Sequence, residues 1–433
     1  MSWIRCTGLG LIAALYVLAG RWGLHRLSSA DSEPNPFLEL RLWIVMGGVV
    51  LAAVGLAHGA HRAARPGETR LDPRLSIALL GFFGYLCTSA FWAPDAGLAL
   101  WKVYDLALVL VMTVGFGLAA IRLPAARVLD AFWAVVVVAT GVLALTGMGQ
   151  LLGGGGGARL AVLGGGPNIF ARLMGLLTLG ALYFWQRRGQ AWLCIPLAAT
   201  GVLLALLTGS RGGASAIIAG ILAFLVVGRV PLRRLVILAA IATAVAGFAV
   251  TSSPLGKALN RSMEERFLRL TLQYEGSGSS ERKVYLSGRE VLYESAYELG
   301  LRHPVAGAGL AAFPALGLGV YPHNLFLEVF CEGGALGLAF LGWVFLAFLL
   351  AALRGRGLDG ATTGAAVLLL IGSQSSGELY DSRALFLLLM MASCTSAAVL
   401  RSASGTQPHG GSAQAPAAAR LSPAVHPAAH GTT

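Results

Sequence analysis

YPHNLFLEVFCEGG, residues 321–334, begins an apolar run with a proline, a histidine and an asparagine, and carries Glu328 and Glu332 inside it. The run continues to about residue 350, long enough to cross roughly 30 Å of hydrocarbon as a helix. Carboxylates inside such a segment are costly unless they face other polar groups. The stretch therefore predicts a membrane helix whose first turns line a polar interior.

The whole chain has the composition of a helical membrane protein. Of its 433 residues 56% are hydrophobic and 12% are charged, and the charge lies between long apolar runs. We predict an all-α polytopic membrane protein with about twelve transmembrane helices. The predicted spans cover residues 3–20, 42–58, 75–91, 97–120, 131–148, 168–185, 191–208, 212–228, 235–250, 323–350, 361–376 and 384–400.

The distribution of arginine predicts the orientation. Basic residues concentrate in the even-numbered connections, which are therefore expected to be cytoplasmic, as are both termini. The net charge of +12 belongs partly to this topology signal and requires no nucleic acid partner. We predict a transmembrane domain over residues 1–400, a long outer loop within it at 251–322, and a disordered cytoplasmic tail at 401–433. The five cysteines have no CxxC spacing, so neither a disulfide framework nor a zinc site is expected.

The outer loop at 251–322 is much richer in charge than the other connections, and a loop of this length is usually functional. An amphipathic helix is predicted at 255–274. Ser287 and Glu290 form an S-x-x-E capping box, which predicts a second helix that ends near Gly300 and has Arg289 in its first turn.

The ionisable residues inside the predicted spans, or at their edges, lie mostly in the outer third of the bundle. They converge on the face that carries the long loop, which indicates a binding or reaction chamber open to the outer side. A coupled transporter would more often place such groups near the midplane. The residues are Lys102, Asp105, Arg172, Arg211, His323, Glu328, Glu332, Glu378, Asp381 and Arg383.

Two arginines are candidate anion ligands. Arg211 lies in a connection too short for a real loop, so it is either an interfacial anchor or a clamp whose planar fork matches phosphate. Arg289 is either an exposed loop arginine or part of an anion site at a helix N-terminus.

His323 is either an interfacial polar residue or a general base, since a neutral imidazole beside carboxylates suits that role. Asn324 is a plausible N-cap of the following helix. Asp381 could orient the imidazole or pair with Arg383.

These residues indicate a reaction class. The outer face offers fixed cations and a candidate base next to lipid, where neither ATP nor a nucleotide sugar is expected. The sequence contains no DxD motif and no P-loop. A compatible substrate is a polyprenyl diphosphate that carries a glycan, with arginines instead of a metal ion stabilising the leaving diphosphate.

Four motifs together resemble the O-antigen ligase and polymerase superfamily, over about residues 159–383. They are GSRGG at 209–213, SGREVLYESAYELGLRHPVAGAGLAAF at 287–313, PHNLFLEVFCEGGALG at 322–337 and DSR at 381–383. The resemblance implies a GT-C-type, metal-independent glycosyltransferase without a cofactor. It implies an undecaprenyl-diphosphate-linked glycan as donor, at the periplasmic face of the bacterial inner membrane. In the ligase branch the acceptor is a sugar hydroxyl of lipid A–core.

The resemblance also implies roles for residues. His323 would be the catalytic base, Arg211 and Arg289 would bind the diphosphate, and Asp381 would support them. A single displacement with these groups predicts inversion at the anomeric carbon. The expected substrate-binding residues are Arg159, Asn168 and Arg172, which match the family's glycine-and-PN segment loosely, together with Asn324, Glu328 and Arg383.

Other functions fit parts of the sequence. A repeat-unit polymerase would use a second lipid-linked glycan as acceptor, and the shared residues do not separate it from a ligase. A protein O-glycosylation enzyme is less favoured because no folded domain is predicted after the last span. A lipid-linked glycan transporter would need polar access from the cytoplasmic half. A non-enzymatic assembly scaffold would leave the histidine and arginines unexplained.

Overall fold

The computed structural model describes residues 2–19, 39–59, 68–152, 160, 166–230, 289–353 and 358–394, and the regular secondary structure in these ranges is helical. The α-helices are α1 (Ser2–Leu18), α2 (Leu40–Gly59), α3 (Pro73–Thr88), α4 (Ala96–Ala120), α5 (Ala125–Leu152), α6 (Pro167–Arg188), α7 (Ala191–Leu207), α8 (Arg211–Gly228), α9 (Arg289–Arg302), α10 (Ala312–Ala315), α11 (Leu325–Leu353), α12 (Gly360–Gly372) and α13 (Arg383–Cys394). Short 3-10 helices lie at Ser89–Trp92 and Tyr380–Ser382.

The helices agree with the predicted membrane class. In the described ranges seven helices are long and apolar enough to cross a membrane, and α1, α7 and α12 are shorter apolar helices. Each predicted span except the ninth, 235–250, overlaps a helix. The ninth span, residue 20 of the first and residues 395–400 of the twelfth lie outside the described residues. Helix α9 occupies the place predicted for the second loop helix. Ser287 of its capping box, the helix predicted at 255–274 and the tail 401–433 also lie outside the described residues.

Small residues bring α8 and α12 into close contact. A Cβ atom at Gly220 would lie 2.9 Å from the Gly364 carbonyl oxygen, and one at Gly364 would lie 2.6 Å from that of Gly220. Only glycine on both helices permits this approach, which is how many membrane helices associate without a hydrophobic driving force. Because α12 also packs against α6, this contact fixes the end of α12 beside the starts of α6 and α8.

Helix α11 is interrupted, whereas the sequence predicted one continuous span at 323–350. Gly334 has φ of 64° and ψ of −160°, outside the helical region. The break releases the carbonyls of Cys331 and Glu332, which accept the backbone N–H groups of Ala308 (2.8 Å) and Gly309 (3.1 Å). The loop segment after α9 therefore packs directly onto the break. It supplies hydrogen bonds to carbonyl groups that would be costly to leave unpaired in an apolar environment.

The boundary of α12 is also different from the prediction. The predicted span at 361–376 ends as a helix at Gly372, and residues 373–376 form a turn that leads towards the 3-10 helix Tyr380–Ser382. The last carbonyl groups of a helix lack partners within the helix. The turn therefore presents backbone acceptors at this end of the bundle.

Candidate active site

Five consecutive backbone carbonyls, from residue 372 to residue 376, accept hydrogen bonds from other parts of the chain. We call this segment the 372–376 turn. Its donors come from α6, from α9 and from the start of α11. They are Arg172 to Gly372 and Ser376, the Leu325 N–H to Ser373, Tyr293 and Asn324 to Gln374, and Arg289 to Ser375.

Arg172 reaches the turn from α6. Its Nη2 atom donates to the carbonyl of Gly372 at 2.7 Å and to that of Ser376 at 2.6 Å. A Cβ atom at Gly372 would lie 2.8 Å from Arg172 Nε, so a larger residue there would displace the guanidinium. In the described ranges Arg172 forms no ion pair, and its electrostatic neighbours include Arg289, Arg383 and Asp381. We call Arg172 and Arg289, bonded to these carbonyls, the turn cluster.

Arg289 is the first residue of α9, and its Nη1 atom donates to the carbonyl of Ser375. It too forms no ion pair with any described residue. A neutral carbonyl fixes the guanidinium without cancelling its charge. The turn cluster thus holds two cations in place at one end of the bundle, with neutral carbonyls as their hydrogen-bond acceptors.

The start of α11 is also attached to the turn. Asn324 caps the helix, since its Oδ1 accepts the Leu327 N–H at 3.0 Å while its Nδ2 donates to Gln374 at 3.2 Å. The predicted N-cap role is confirmed. His323, immediately before it, has φ of 59°, a left-handed conformation uncommon outside glycine. Its ring lies edge-on to that of Tyr321, with 4.5 Å between the centroids.

The surroundings of His323 favour the neutral imidazole. Partial burial lowers its pKa below the usual value of 6.5, the positive charge of Arg289 lowers it further, and Asp381 opposes both. Its Nδ1 atom is buried and has no hydrogen-bond partner in the described part of the chain. A general base must be able to accept a proton, and the neutral imidazole is the form of histidine that can do so.

Asp381 lies in the 3-10 helix and pairs with Arg383, with 3.7 Å between Oδ1 and Nη1. Its Oδ2 accepts the Glu378 N–H at 3.3 Å. The pairing with Arg383 that the sequence left open is therefore present, while Asp381 acts on His323 through its charge. Arg383 itself is buried, donates to the Ala19 carbonyl and lies over the Tyr380 ring, 4.9 Å from its centroid.

Arg211 begins α8, next to the turn. Ser210 caps that helix by accepting the Gly213 N–H at 2.9 Å, and its hydroxyl donates to Asn168 Oδ1 at 2.5 Å. A Cβ atom at Gly212 would lie 2.0 Å from Ser375 Oγ, so the start of α8 touches the turn. Asn168 and Arg211 thus belong to the same end of the bundle. Arg159 lies outside the described residues.

The two glutamates of α11 form a separate cluster with Lys102 of α4. The Lys102 Nζ atom lies 2.6 Å from Glu328 Oε1 and 2.7 Å from Glu332 Oε2, and both carboxylates are fully buried. Glu378 interacts with this group electrostatically. We call Lys102, Glu328 and Glu332 the core cluster. The predicted polar stripe on α11 is present, and it faces a lysine of the neighbouring helix.

Several site residues were missed in the sequence. Tyr293 lies one helical turn after Arg289, and this i, i+4 spacing was the available signal. The polar run at 373–376 was placed at the end of a span. Arg41 was also missed. It pairs with Asp105 at 2.6 Å and lies over the Tyr380 ring, which helps to fix the 3-10 helix that carries Asp381.

An array of apolar helices with cations fixed at one polar end defines a multi-pass membrane protein with a candidate anion site. Residues 196–342 match the family model described as O-Antigen ligase, and the predicted resemblance to that superfamily is confirmed. The match supports a function of the ligase or polymerase type. It includes Arg211, Arg289 and His323, and it ends before the 372–376 turn. No curated protein matches the chain.

Proposed function

We propose that the protein is an O-antigen ligase that transfers a glycan from undecaprenyl diphosphate to a sugar hydroxyl of lipid A–core. The transfer would take place at the periplasmic face of the bacterial inner membrane. In this proposal the bundle has about twelve spans and a GT-C-type architecture, and both termini are cytoplasmic. The family match supports glycan transfer as the reaction, and the turn cluster supports this end of the bundle as the site.

The observation that most supports the proposal is that Arg172 and Arg289 have backbone carbonyls as their hydrogen-bond acceptors. The Arg172 guanidinium is hydrogen-bonded to two backbone carbonyls and that of Arg289 to one, and neither forms an ion pair with a carboxylate in the described ranges. Fixed donors of this kind stabilise charge as it develops, because no reorganisation is needed when the reaction occurs. Arg211, at the start of α8, would complete the diphosphate site.

His323 would accept the proton of the acceptor hydroxyl as its oxygen attacks the anomeric carbon. The new glycosidic C–O bond forms while the bond from that carbon to the diphosphate oxygen breaks. The leaving group keeps the bonding electrons and departs as undecaprenyl diphosphate, with its charge stabilised by the arginines. The proton remains on His323 until it is released to solvent. One displacement of this kind inverts the anomeric configuration.

The proposal can be tested by transfer with the purified full chain. Lipid-linked glycan would be offered with lipid A–core in one arm and with a second lipid-linked glycan in the other. Glycan attached to lipid A–core is the expected product. Elongated glycan still attached to the polyprenyl lipid would instead identify a polymerase. No glycan product in either arm would remove the transferase assignment.

A further inference from the structure

The 372–376 turn collects more contacts than its length suggests. The described helices α6, α9 and α11 are separate in sequence, yet each bonds to its carbonyls. Unpaired carbonyls at a membrane protein's helix end are expensive, so the turn and its donors hold one another in place. A donor that fixes the register of one helix on this turn therefore affects the geometry of the whole site.

Tyr293 is such a donor in α9. Its hydroxyl donates to the Gln374 carbonyl at 3.1 Å, while Arg289 donates to the carbonyl of the next residue, Ser375. Because residues four apart lie on one helix face, α9 is attached to the turn by two adjacent contacts. Burial raises the pKa of the Tyr293 phenol, and the positive charge of Arg289 lowers it. The hydroxyl therefore stays protonated and can act as a hydrogen-bond donor.

The acceptor is shared with the helix that follows the candidate base. The Gln374 carbonyl also accepts Asn324 Nδ2 at 3.2 Å, and Asn324 follows His323 directly. One carbonyl therefore links α9, which carries Arg289, to the start of α11, which carries His323. The hydrogen bonds of Tyr293 and Asn324 therefore meet at one acceptor atom between the elements that carry these two residues.

We propose that Tyr293 is a positioning residue whose hydroxyl fixes α9 on the 372–376 turn and thereby sets Arg289 against His323. The inference rests on the proposed function, because it assigns Tyr293 a part in the same site. Tyr293 acts through Arg289 and needs no contact with the substrate. Tyr297, which lies one turn later in α9 and is about half exposed (52%), has no such contact with the turn in the described residues.

The first test compares Tyr293→Phe with the matched control Tyr297→Phe in the transfer assay. Loss of one hydrogen bond should lower kcat of Tyr293→Phe by about three- to tenfold. Arg289, Asp381 and Tyr321 face His323, and a displaced Arg289 would repel the imidazolium less. The acid limb of the pH–rate profile should then move to higher pH. Tyr297→Phe should match wild type. An unchanged rate and an unchanged acid limb in Tyr293→Phe would overturn the inference.

The second test does not depend on catalysis. Amide hydrogen exchange across residues 289–302 would be measured for wild type and both variants of the solubilised full chain. Faster exchange in Tyr293→Phe alone is expected, because α9 loses one of its contacts with the turn. Equal exchange in the two variants would overturn the anchoring role. If wild type transfers no glycan, the proposed function fails, and the exchange result still decides the role of Tyr293.

Discussion

The turn cluster and the core cluster both hold cations at the polar end of the bundle, but they differ in what the cations face. Lys102 lies within 2.7 Å of Glu328 and Glu332, so its charge is neutralised by carboxylates. Arg172 and Arg289 face backbone carbonyls, which orient a guanidinium and leave its charge intact. A cation therefore takes its role from its partners.

The difference has an energetic basis. A buried carboxylate without a cation is very costly, so loss of Lys102 alone from the core cluster should destabilise the packing of the helices. A carbonyl carries only a partial charge and repays little of the cost of holding a cation out of water. The turn cluster is consequently the part of the candidate site that would gain most from a bound anion, such as the proposed diphosphate.

The largest effect is expected at the candidate base beside the turn cluster. His323→Ala should lower kcat by on the order of 10² to 10⁴, the usual contribution of a general base. The fold should be little affected, since the side chain is only half-buried. Initial rates of glycan transfer would be compared with those of His303→Ala, which changes an exposed histidine after α9. Near-normal transfer by His323→Ala would remove it from the role.

The turn cluster itself can be disrupted by replacing a guanidinium with an ammonium group, which keeps the positive charge but loses the planar set of donors. Arg289→Lys should lower kcat by about 10² to 10³, the range for loss of one preorganised donor. The matched control is Arg302→Lys at the other end of α9, whose side chain is 74% exposed. Full activity in Arg289→Lys would mean that a point charge is sufficient. The same substitution at Arg211 separates a diphosphate clamp from an interfacial anchor.

Substitutions in the core cluster should lower the stability of the protein more than its rate of glycan transfer. Lys102→Met leaves two buried carboxylates without a cation and should lower the free energy of unfolding by about 3–5 kcal/mol. Thermal unfolding in detergent would measure the loss. A triple variant that adds Glu328→Gln and Glu332→Gln should recover most of it. Wild-type transfer by the triple variant would exclude Glu328 from substrate binding, whereas lost transfer in a stable triple variant would support that predicted role.

The smallest effect is expected at Asp381, whose charge raises the pKa of His323. Neutral imidazole is the base, so activity is present above its folded pKa and is lost as the pH falls through it. Asp381→Asn should therefore move the acid limb of kcat/KM to lower pH, with less than about tenfold loss of rate at neutral pH. Asp95→Asn is the control, because asparagine also caps a helix such as α4. A limb that moves to higher pH would contradict this sign.

Much of the fold was predictable because apolar run length and charge placement are local properties. The spans, the helix at α9 and the cap at Asn324 all follow from short patterns. The break at Gly334 was missed, since glycines within an apolar run are also frequent in continuous membrane helices. Its cause is distant in sequence: the backbone of Ala308 and Gly309 supplies the hydrogen bonds that the interrupted helix lacks.

The candidate site was predictable in its residue types and incomplete in its partners. His323, Arg211 and Arg172 were singled out because ionisable groups at span edges are unusual. Arg289 was singled out because it lies at a predicted helix N-terminus. Nothing local indicated that Arg172, Arg289 and the start of α11 are hydrogen-bonded to one turn, since every residue has a carbonyl. Tyr293 was missed although it lies one helical turn after Arg289, because its acceptor is a backbone atom of Gln374.

The amino-acid sequence by itself determined the membrane class, the family resemblance and the identity of the charged residues. Each of these depends on composition, run length or motif spacing along one segment. Only the tertiary structure decided which cation is neutralised and which is held by neutral acceptors. That division requires α4 beside α11 and the end of α12 beside α6 and α9, contacts between segments that are more than 70 residues apart in the chain.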